Sequence, residues 1–338
     1  MHNPIVNIRR EVMEYINVKG LTAKVSDISF GTATSTLEDE AKIHDMLDYY
    51  VSVGGNYIDT ARFYGRGSGI QHTEEILGRW LAKNDNRSKV VIESKCCNPY
   101  MDRNLNMYEE MPRVGRTFMY DDVLFSRDHL GVDCIDLYLM HRDNPKVPVA
   151  EIMDTFEEFL RKGWIKAYGM SNWRLDRFAE AYEYCERMGY QGPSVYSPFF
   201  SLVKLEKPWY YRIPAFKEEW LPWFEEHRDV TIAAWSAQGR GFFGNYPQFQ
   251  PENADPATRM AVLTEENFAR KERVLVLAEK KGIRPSQISL LYVLSQKANI
   301  AAIIGPRSKQ DIDNVIRATS VRLTQEEIDY LTLKRDTL

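Results

Sequence analysis

The side chains best suited to chemistry in this chain of 338 residues are an acid, a phenol, an amine and an imidazole: Asp59, Tyr64, Lys95 and His141. Three of them end short apolar segments typical of buried strands, and Tyr64 follows Asp59 by five residues. Ionisable groups at the exits of parallel strands are typical of a barrel active site. An adjacent cation lowers the pKa of a phenol, which can then act as a general acid near neutral pH. We therefore predict that Tyr64 donates a proton, with Lys95 as the cation, Asp59 holding its ammonium group and His141 hydrogen-bonded to the substrate oxygen.

The elements that would position these residues form an alternating series. Eight segments resemble short strands: 28–32, 56–59, 89–95, 135–141, 165–169, 194–196, 230–235 and 301–304. Helical periodicity is found at 38–53, 73–83, 116–130, 149–162, 175–188, part of 209–224, 265–281, 285–297, and from 309 and 324 onward. This alternation indicates a parallel sheet, and eight units indicate a closed (β/α)8 TIM barrel of the α/β class. We predict a single domain over 1–338, with an N-terminal hairpin within 12–29 and extra C-terminal helices.

Three connections are predicted to be irregular. The connection from Cys96 to about Val114 is broken by prolines, and residues 238–256 are rich in glycine and proline. Residues 65–69 form a glycine-rich run, which we interpret as a loop. No Gly-x-Gly-x-x-Gly motif follows a strand, so the usual dinucleotide fingerprint is absent.

Six ordered motifs make the chain similar to the aldo-keto reductase family, from about Ile28 to the C-terminus. They are Asp59-Thr60-Ala61-Arg62-Phe63-Tyr64-Gly65, Glu74-Glu75-Ile76-Leu77-Gly78, Ser94-Lys95, Asp136-Leu137-Tyr138 through His141-Arg142, Gly169-Met170-Ser171-Asn172-Trp173 and Ile303-Ile304-Gly305-Pro306-Arg307-Ser308. Such an ordered set is far more specific than any one motif. The resemblance implies a barrel enzyme that reduces an aldehyde or ketone with NAD(P)H, and it gives the four ionisable residues the same roles.

The resemblance also implies that a nicotinamide cofactor lies across the barrel mouth. Ser171 and Asn172 match the residues that hold the carboxamide. Trp235 matches the aromatic residue that stacks on the nicotinamide, although it could instead be a core tryptophan. The other positions implied for the cofactor are Gly31, Thr32, Ser197, Ser236, Gln238, Arg240, Gly305, Arg307, Lys309, Asp311 and Asn314.

Three positions depart from the family pattern at this cofactor site. Ser197 stands where the family usually has a glutamine that helps to hold the carboxamide. Asp311 stands where many members have Arg or Gln near the ribose phosphate, and Val315 where many have the asparagine near the adenine. Asp311 would repel a 2′-phosphate, whereas Arg307 and Lys309 would attract one. We therefore predict that NADP(H) is favoured over NAD(H).

The substrate pocket is less well specified than the cofactor site. Its expected walls include Phe30, Phe63 and Trp173, and apolar walls around a polar centre fit many small-molecule carbonyls or alcohols. Two alternatives to a carbonyl reductase stay open: a cofactor-bound redox-sensing regulatory subunit, and an enzyme that works mainly as a sugar or alcohol dehydrogenase. The oligomeric state is open between a monomer and a homo-oligomer.

Composition and charge exclude several other classes. The net charge is −4 and no basic stripe suggests nucleic acid. No apolar run approaches the ~20 residues of a membrane span, and residues 1–10 lack the apolar part of a secretory signal. We therefore expect a cytoplasmic protein with no nucleic-acid or membrane partner. The four cysteines show no metal-ligand spacing and no disulfide framework, so no metal is expected. Cys96-Cys97 is either a redox-sensitive pair or two small side chains in a loop.

Overall fold

The fold is built on a closed barrel of parallel strands, seen in a computed structural model that describes residues 13–338 apart from 34, 36–38, 66–72, 102–106, 109–110, 206, 208, 210–212 and 245. The strands are β1 (Tyr15–Ile16), β2 (Val25–Ser26), β3 (Ile28–Gly31), β4 (Tyr57–Asp59), β5 (Val91–Cys96), β6 (Tyr100–Met101), β7 (Met107–Tyr108), β8 (Ile135–Met140), β9 (Ile165–Ser171), β10 (Val195–Ser197), β11 (Thr231–Trp235) and β12 (Ile300–Ile304). Eight of them close the barrel in the order β10, β11, β12, β3, β4, β5, β8, β9. The pairs β1–β2 and β6–β7 form antiparallel hairpins.

Helices occupy the connections between the barrel strands. They are α1 (Glu40–Ser52), α2 (Thr73–Leu81), α3 (Asn86–Lys89), α4 (Arg116–Leu130), α5 (Val149–Arg161), α6 (Leu175–Met188), α7 (Leu221–Glu226), α8 (Pro256–Ala261), α9 (Glu265–Lys281), α10 (Pro285–Leu294), α11 (Lys309–Thr319) and α12 (Gln325–Leu331). Thr264, Ser308 and Thr324 cap the N-termini of α9, α11 and α12 by accepting backbone N–H groups. None of the described helices is both long enough and apolar enough to cross a bilayer.

The two faces of the barrel strands belong to separate cores. One apolar cluster fills the barrel interior and includes Tyr57, Leu137 and Leu139. The opposite strand faces pack under the helices in a larger cluster that includes Ile58 and Ile92. Because successive strand residues alternate between faces, the sequence position of a residue decides which core it enters.

The predicted fold class is confirmed: a (β/α)8 barrel with an N-terminal hairpin and extra C-terminal helices. Helices α4, α6 and α9 have the predicted bounds. The strand predicted at 89–95 begins at Val91, because Asn86–Lys89 forms a helical turn.

Three connections differ from their predicted structure. The connection after β5 contains the hairpin β6–β7, and the loop after β11 is followed by α8, which starts at a proline behind the Asp255 cap. Within 209–224 the only described helical residues are the turn Glu218–Trp220 and the start of α7, where Pro222 favours a helix start. Of the predicted segments, residues 12, 38, 66–69, 102–106, 109–110, 210–212 and 245 lie outside the described residues.

The contact between β9 and β10 generates a prediction. A Cβ atom at Gly169 would lie 2.0 Å from the Val195 carbonyl oxygen, whereas a Cβ at Gly305 would meet no atom within 4 Å. Gly169→Ala should therefore lower the free energy of unfolding by about 3 kcal/mol, because both strands must move apart. Gly305→Ala is the matched control and should change it by less than about 0.5 kcal/mol. Urea unfolding of both variants measures this, and equal stabilities would show that the strands separate at no cost.

Candidate active site

An open cavity of about 1440 Å³ lies at the carboxyl ends of the barrel strands. All but three of the residues predicted for the site line it: Phe30, Gly31, Asp59, Phe63, Tyr64, Lys95, His141, Ser171, Asn172, Ser197, Trp235, Ser236, Gln238, Arg240, Gly305, Arg307, Asp311 and Asn314. Tyr64, which follows β4, and Arg307, which follows β12, both line it. Residues from nearly every barrel strand exit therefore meet in one continuous space.

Lys95 is the buried charge at the centre of the site. Its ammonium group donates to the Asp59 carboxylate and to the Thr60 carbonyl at 3.0 Å, and it lies 3.1 Å from the Glu93 carboxylate. Burial acts to lower the pKa of Lys95, but the charges of Asp59, Tyr64 and Glu93 outweigh burial and raise that pKa above its ordinary value. Lys95 is therefore a cation at neutral pH.

Tyr64 lies in the cavity wall beside Lys95 and His141. The Lys95 ammonium is 5.4 Å from the centroid of the Tyr64 ring, which meets the His141 ring edge to face at 5.7 Å. Burial first, and then the Asp59 charge, raise the pKa of Tyr64 above its ordinary value, although Lys95 lowers it as expected. The net lowering expected from the sequence is thus absent, because desolvation and the carboxylates outweigh the cation. Tyr64 holds its proton at neutral pH, as an acid must.

His141 follows β8 and is largely buried. Burial, followed by the charges of Lys95 and Arg142, lowers the pKa of His141 well below its ordinary value. The imidazole is therefore neutral at pH 7 and carries one N–H donor. Its Nδ1 atom has no hydrogen-bond partner among the described residues. A neutral imidazole in this position can donate to a ligand oxygen without adding charge.

Polar groups at the exits of β9, β10 and β11 form a connected network. The Asn172 amide nitrogen donates to the His141 carbonyl at 3.1 Å and to Ser171 Oγ at 2.9 Å, and its oxygen accepts from Trp235 Nε1 at 3.0 Å. The Ser171 hydroxyl donates to the Ser197 carbonyl at 2.8 Å. Ser197 Oγ is buried in the cavity wall without a partner in the described part of the chain. This hydroxyl is therefore available to a ligand.

Turns at three of the strand exits are held in left-handed backbone conformations. The φ angles are 60° at Cys97, 64° at Asn172 and 58° at Ser236. This conformation costs a residue with a Cβ roughly 1–2 kcal/mol and persists only where the surroundings impose it. At Cys97 the buried Asp122 carboxylate, itself paired with Arg62, accepts the backbone N–H at 2.6 Å. Of these three residues, Asn172 and Ser236 line the cavity, as does Arg240 with a φ of 51°.

The adjacent cysteines Cys96 and Cys97 are both buried and neither lines the cavity. Burial raises the pKa of the Cys96 thiol far above its ordinary value, and a thiol is much less reactive than a thiolate. The geometry therefore favours two small structural side chains over a redox-sensitive pair. The described residues contain no group of three or more His, Cys, Asp or Glu side chains that could hold a metal ion.

The carboxyl end of β12, together with the starts of α10 and α11, combines two guanidinium groups with one carboxylate. Arg307 lies 5.7 Å over the ring of Tyr246, and Arg284 lies 3.6 Å from the Asp311 carboxylate, which also accepts the Arg307 backbone N–H at 3.2 Å. The amide nitrogen of Asn314 is buried and has no partner among the residues described. This end therefore offers cationic groups and an unused N–H donor to a ligand.

Three predicted residues lie outside the cavity lining. The Thr32 hydroxyl donates to the Asp59 carbonyl at 2.9 Å, and Trp173 is fully buried. The ammonium of Lys309 lies 2.7 Å from Asp45, because this first residue of α11 points back towards α1. Lys309 is therefore not among the residues that line the cavity, and its predicted contact with a cofactor phosphate stays a prediction.

Arg284, which lines the cavity, and Glu93, which lies beside Lys95, were not among the predicted site residues. Arg284 directly precedes Pro285 at the start of α10, a proline position that often marks a helix start. Glu93 precedes Lys95 by two residues, and strand alternation therefore places both side chains on the inner face. Each pattern is visible in the sequence, but neither identifies a ligand on its own.

Known proteins similar to this chain are oxidoreductases. The model of the Aldo/keto reductase family matches residues 27–336. The chain is 27% identical over 324 residues to the uncharacterized oxidoreductase YrpG of Bacillus subtilis, covering 94% of this chain and 95% of that protein. It is 25% identical over 297 residues to aldo-keto reductase yakc of Schizosaccharomyces pombe, whose name specifies NADP(+), covering 84% and 79% of the two chains.

A solved structure shows the same fold. The crystal structure of the thermostable aldo-keto reductase Tm1743 with the inhibitor epalrestat has a TM-score of 0.69, at 22% identity, and the match covers 95% of this chain and 99% of that one. The barrel with its hairpin and helices is thus shared with that protein. Because the family model covers nearly the whole described chain, this protein belongs to the aldo-keto reductase family.

Proposed function

We propose that this protein is an NADP(H)-dependent reductase that converts an aldehyde or ketone to an alcohol, with Tyr64 as the general acid. The observation that carries the proposal is the convergence of Tyr64, Lys95 and His141 in the wall of one large cavity. The rest of that cavity offers hydrogen-bonding and cationic groups suited to a dinucleotide. Membership of an oxidoreductase family supports the reaction class.

The cavity residues fit a nicotinamide dinucleotide. Such a cofactor, when bound, supplies the hydride. Ser171 and Asn172, helped by the free Ser197 hydroxyl, would hold the carboxamide, and the partly exposed Trp235 would stack on the ring. The unpartnered amide of Asn314 would bind near the adenine, because buried polar groups are normally paired. Other residues predicted for the cofactor also line the cavity: Gly31, Ser236, Gln238, Arg240, Gly305 and Arg307.

Side chains of the protein donate the proton and stabilise the charges that form. The neutral imidazole of His141 donates a hydrogen bond to the carbonyl oxygen and stabilises the negative charge that develops there. Tyr64 transfers its proton to that oxygen as the alcohol forms. Lys95, held by Asp59, stabilises the resulting phenolate by charge. Phe30 and Phe63 in the wall provide apolar surface for the body of the substrate.

Removing the phenolic proton tests the acid. Tyr64→Phe keeps the ring but should lower kcat for aldehyde reduction by about 100-fold or more, the usual contribution of a general acid. Cofactor affinity should change little, because Tyr64 is not among the groups proposed to hold the dinucleotide. Steady-state kinetics with NADPH and 4-nitrobenzaldehyde measure the loss, and fluorescence titration measures the affinity.

Tyr184→Phe is the matched control for this test. Its hydroxyl donates to Asp154 at 2.9 Å, away from the cavity, so the variant should reduce the aldehyde at the wild-type rate. If Tyr64→Phe were as active as Tyr184→Phe, the assignment of Tyr64 as the acid would be wrong.

The preference for NADP(H) rests on the two guanidinium groups near the carboxyl end of β12, those of Arg307 and Arg284. Arg307 and Arg284 can each bind a 2′-phosphate, and Asp311 partly offsets their charge. A charge-assisted hydrogen bond contributes about 1.5–3 kcal/mol, or roughly tenfold to hundredfold in affinity. We therefore assign to Arg284 the phosphate contact that was predicted for Lys309. The NADP(+) in the name of the yeast relative supports the same preference.

Cofactor titrations test this preference. NADPH should bind at least about tenfold more tightly than NADH, and Arg307→Ala and Arg284→Ala should each remove most of that ratio. Lys309→Ala is the control and should leave the ratio unchanged, because Lys309 pairs with Asp45. Tryptophan fluorescence, with Trp235 as reporter, gives both dissociation constants. Equal affinities for the two cofactors in the wild type would contradict the proposed phosphate contacts.

A further inference from the structure

Glu93 is a second carboxyl group buried beside Lys95, inside the barrel. It is fully buried, and the β4–β5 register sets it opposite Asp59. The Tyr57 hydroxyl donates a hydrogen bond to Glu93 Oε2. The other carboxylate oxygen, Oε1, is 3.1 Å from the Lys95 ammonium but makes no aligned hydrogen bond within the described structure. This oxygen of the buried acid is therefore held beside Lys95 mainly by charge.

The charges of the cluster do not balance when both acids are ionised. Asp59 and Glu93 would carry two negative charges against the single positive charge of Lys95, in an interior otherwise filled by apolar side chains such as Leu137 and Leu139. An uncompensated buried charge is strongly unfavourable, and it is avoided when one acid binds a proton. Two adjacent carboxyl groups commonly share a proton in this way.

The groups around the Asp59–Glu93 pair support the same conclusion. The titratable groups that face it are Tyr57 and Asp59 from β4, Lys95 from β5, Tyr64 from the loop after β4 and His141 from the exit of β8. Burial raises the pKa of Asp59 to about 7; Lys95 opposes this rise, while the charge of Glu93 and its hydrogen bonding to Asp59 add to it. Lys95 alone among these groups is cationic.

We propose that Glu93 is a positioning residue that, together with Asp59, keeps one additional proton beside Lys95 and returns it to Tyr64 after each reduction. The proposal rests on the function proposed above. Tyr64 loses its proton to the substrate oxygen while the hydride reaches the carbon. The Lys95 ammonium then gives a proton to the phenolate, and the Asp59–Glu93 pair gives its shared proton to the Lys95 amine. One proton moves at each step, and solvent later restores the proton of the pair.

The pH dependence of turnover tests this role. With NADPH and 4-nitrobenzaldehyde, wild-type kcat should fall as the pH rises through the ionisation of the pair, within about pH 6 to about pH 9. In Glu93→Gln the remaining acid, Asp59, loses its anionic neighbour and stays ionised. The fall in kcat, which is the alkaline limb of the pH profile, should therefore be absent from that range. An alkaline limb at the wild-type position in Glu93→Gln would overturn the proposal.

Glu74→Gln is the matched control. Glu74 is also buried and burial raises its pKa to about 7, but it accepts from Ser94 in the helix-facing layer and does not line the cavity. Its replacement should keep the wild-type limb. If it abolished the limb as Glu93→Gln does, the limb would report a general effect of losing a buried acid, and the proposal would fail.

Tyr57→Phe gives a second test that preserves side-chain volume, should Glu93→Gln fail to fold. Loss of the Tyr57 hydroxyl removes a hydrogen bond from the Glu93 carboxylate, whose negative charge then acts more strongly on Asp59, so Asp59 should keep its proton to a higher pH. The alkaline limb should therefore move upward by about one pH unit. An unmoved limb in Tyr57→Phe would contradict the proposal.

Proton linkage to unfolding provides a readout that needs no activity. An acid whose pKa is raised in the folded state stabilises the protein below its unfolded pKa, and this stabilisation is lost as the pH rises through the folded value. Urea unfolding at pH values between the unfolded and the folded pKa should show that wild type binds about one more proton on folding than Glu93→Gln does. Equal proton uptake would refute the shared proton. An inactive wild type would instead refute the reductase function, and the unfolding measurement would still decide the role of Glu93.

Discussion

The buried ammonium group of Lys95 is the interaction on which the site depends. A cation inside a barrel is tolerated only when carboxylates compensate it, and here Asp59 and Glu93 come from the neighbouring strands β4 and β5. A shift of one residue in either strand would turn its polar side chains towards the helices and its core residues inward. The ion pairs of Lys95 therefore require this strand register, and the register in turn brings the three charges together. The stability of the fold and the geometry of the site depend on the same contacts.

The same charge determines the protonation states around it. Lys95 disfavours a second cation nearby, which helps to keep His141 neutral. The carboxylates that hold Lys95 disfavour a phenolate, which keeps the proton on Tyr64. A neutral hydrogen-bond donor and a protonated phenol thus lie together in the cavity wall, and the pKa of each differs from its value in water. The chemistry proposed for the site follows from this arrangement, and no single residue would provide it alone.

The sequence predicted the barrel and its strand exits because both depend on patterns of short range. Alternation in strands and periodicity in helices recovered elements such as Arg116–Leu130 and Leu175–Met188 with their bounds. The two-residue strands of the β6–β7 hairpin carry no periodic signal. In residues 209–224, aromatic side chains contact distant parts of the chain, as Phe216 contacts Phe200 at 4.2 Å between ring centroids. Their spacing in the sequence therefore does not show where the helix lies. At the start of α11, the Lys309 ammonium contacts Asp45, which is distant in the sequence, and no local pattern contains that information.

Glu93 shows how a residue that weakens a core can serve a site. An apolar residue at this position would extend the interior cluster and leave Asp59 and Lys95 as a fixed, neutral pair. With Glu93 present, the net charge of the cluster depends on whether the carboxyl pair holds a proton. Tyr64 feels that charge directly, because both acids raise its pKa. The acidity of the phenol is then coupled to the protonation of groups deeper in the barrel, and an apolar side chain could not provide that coupling.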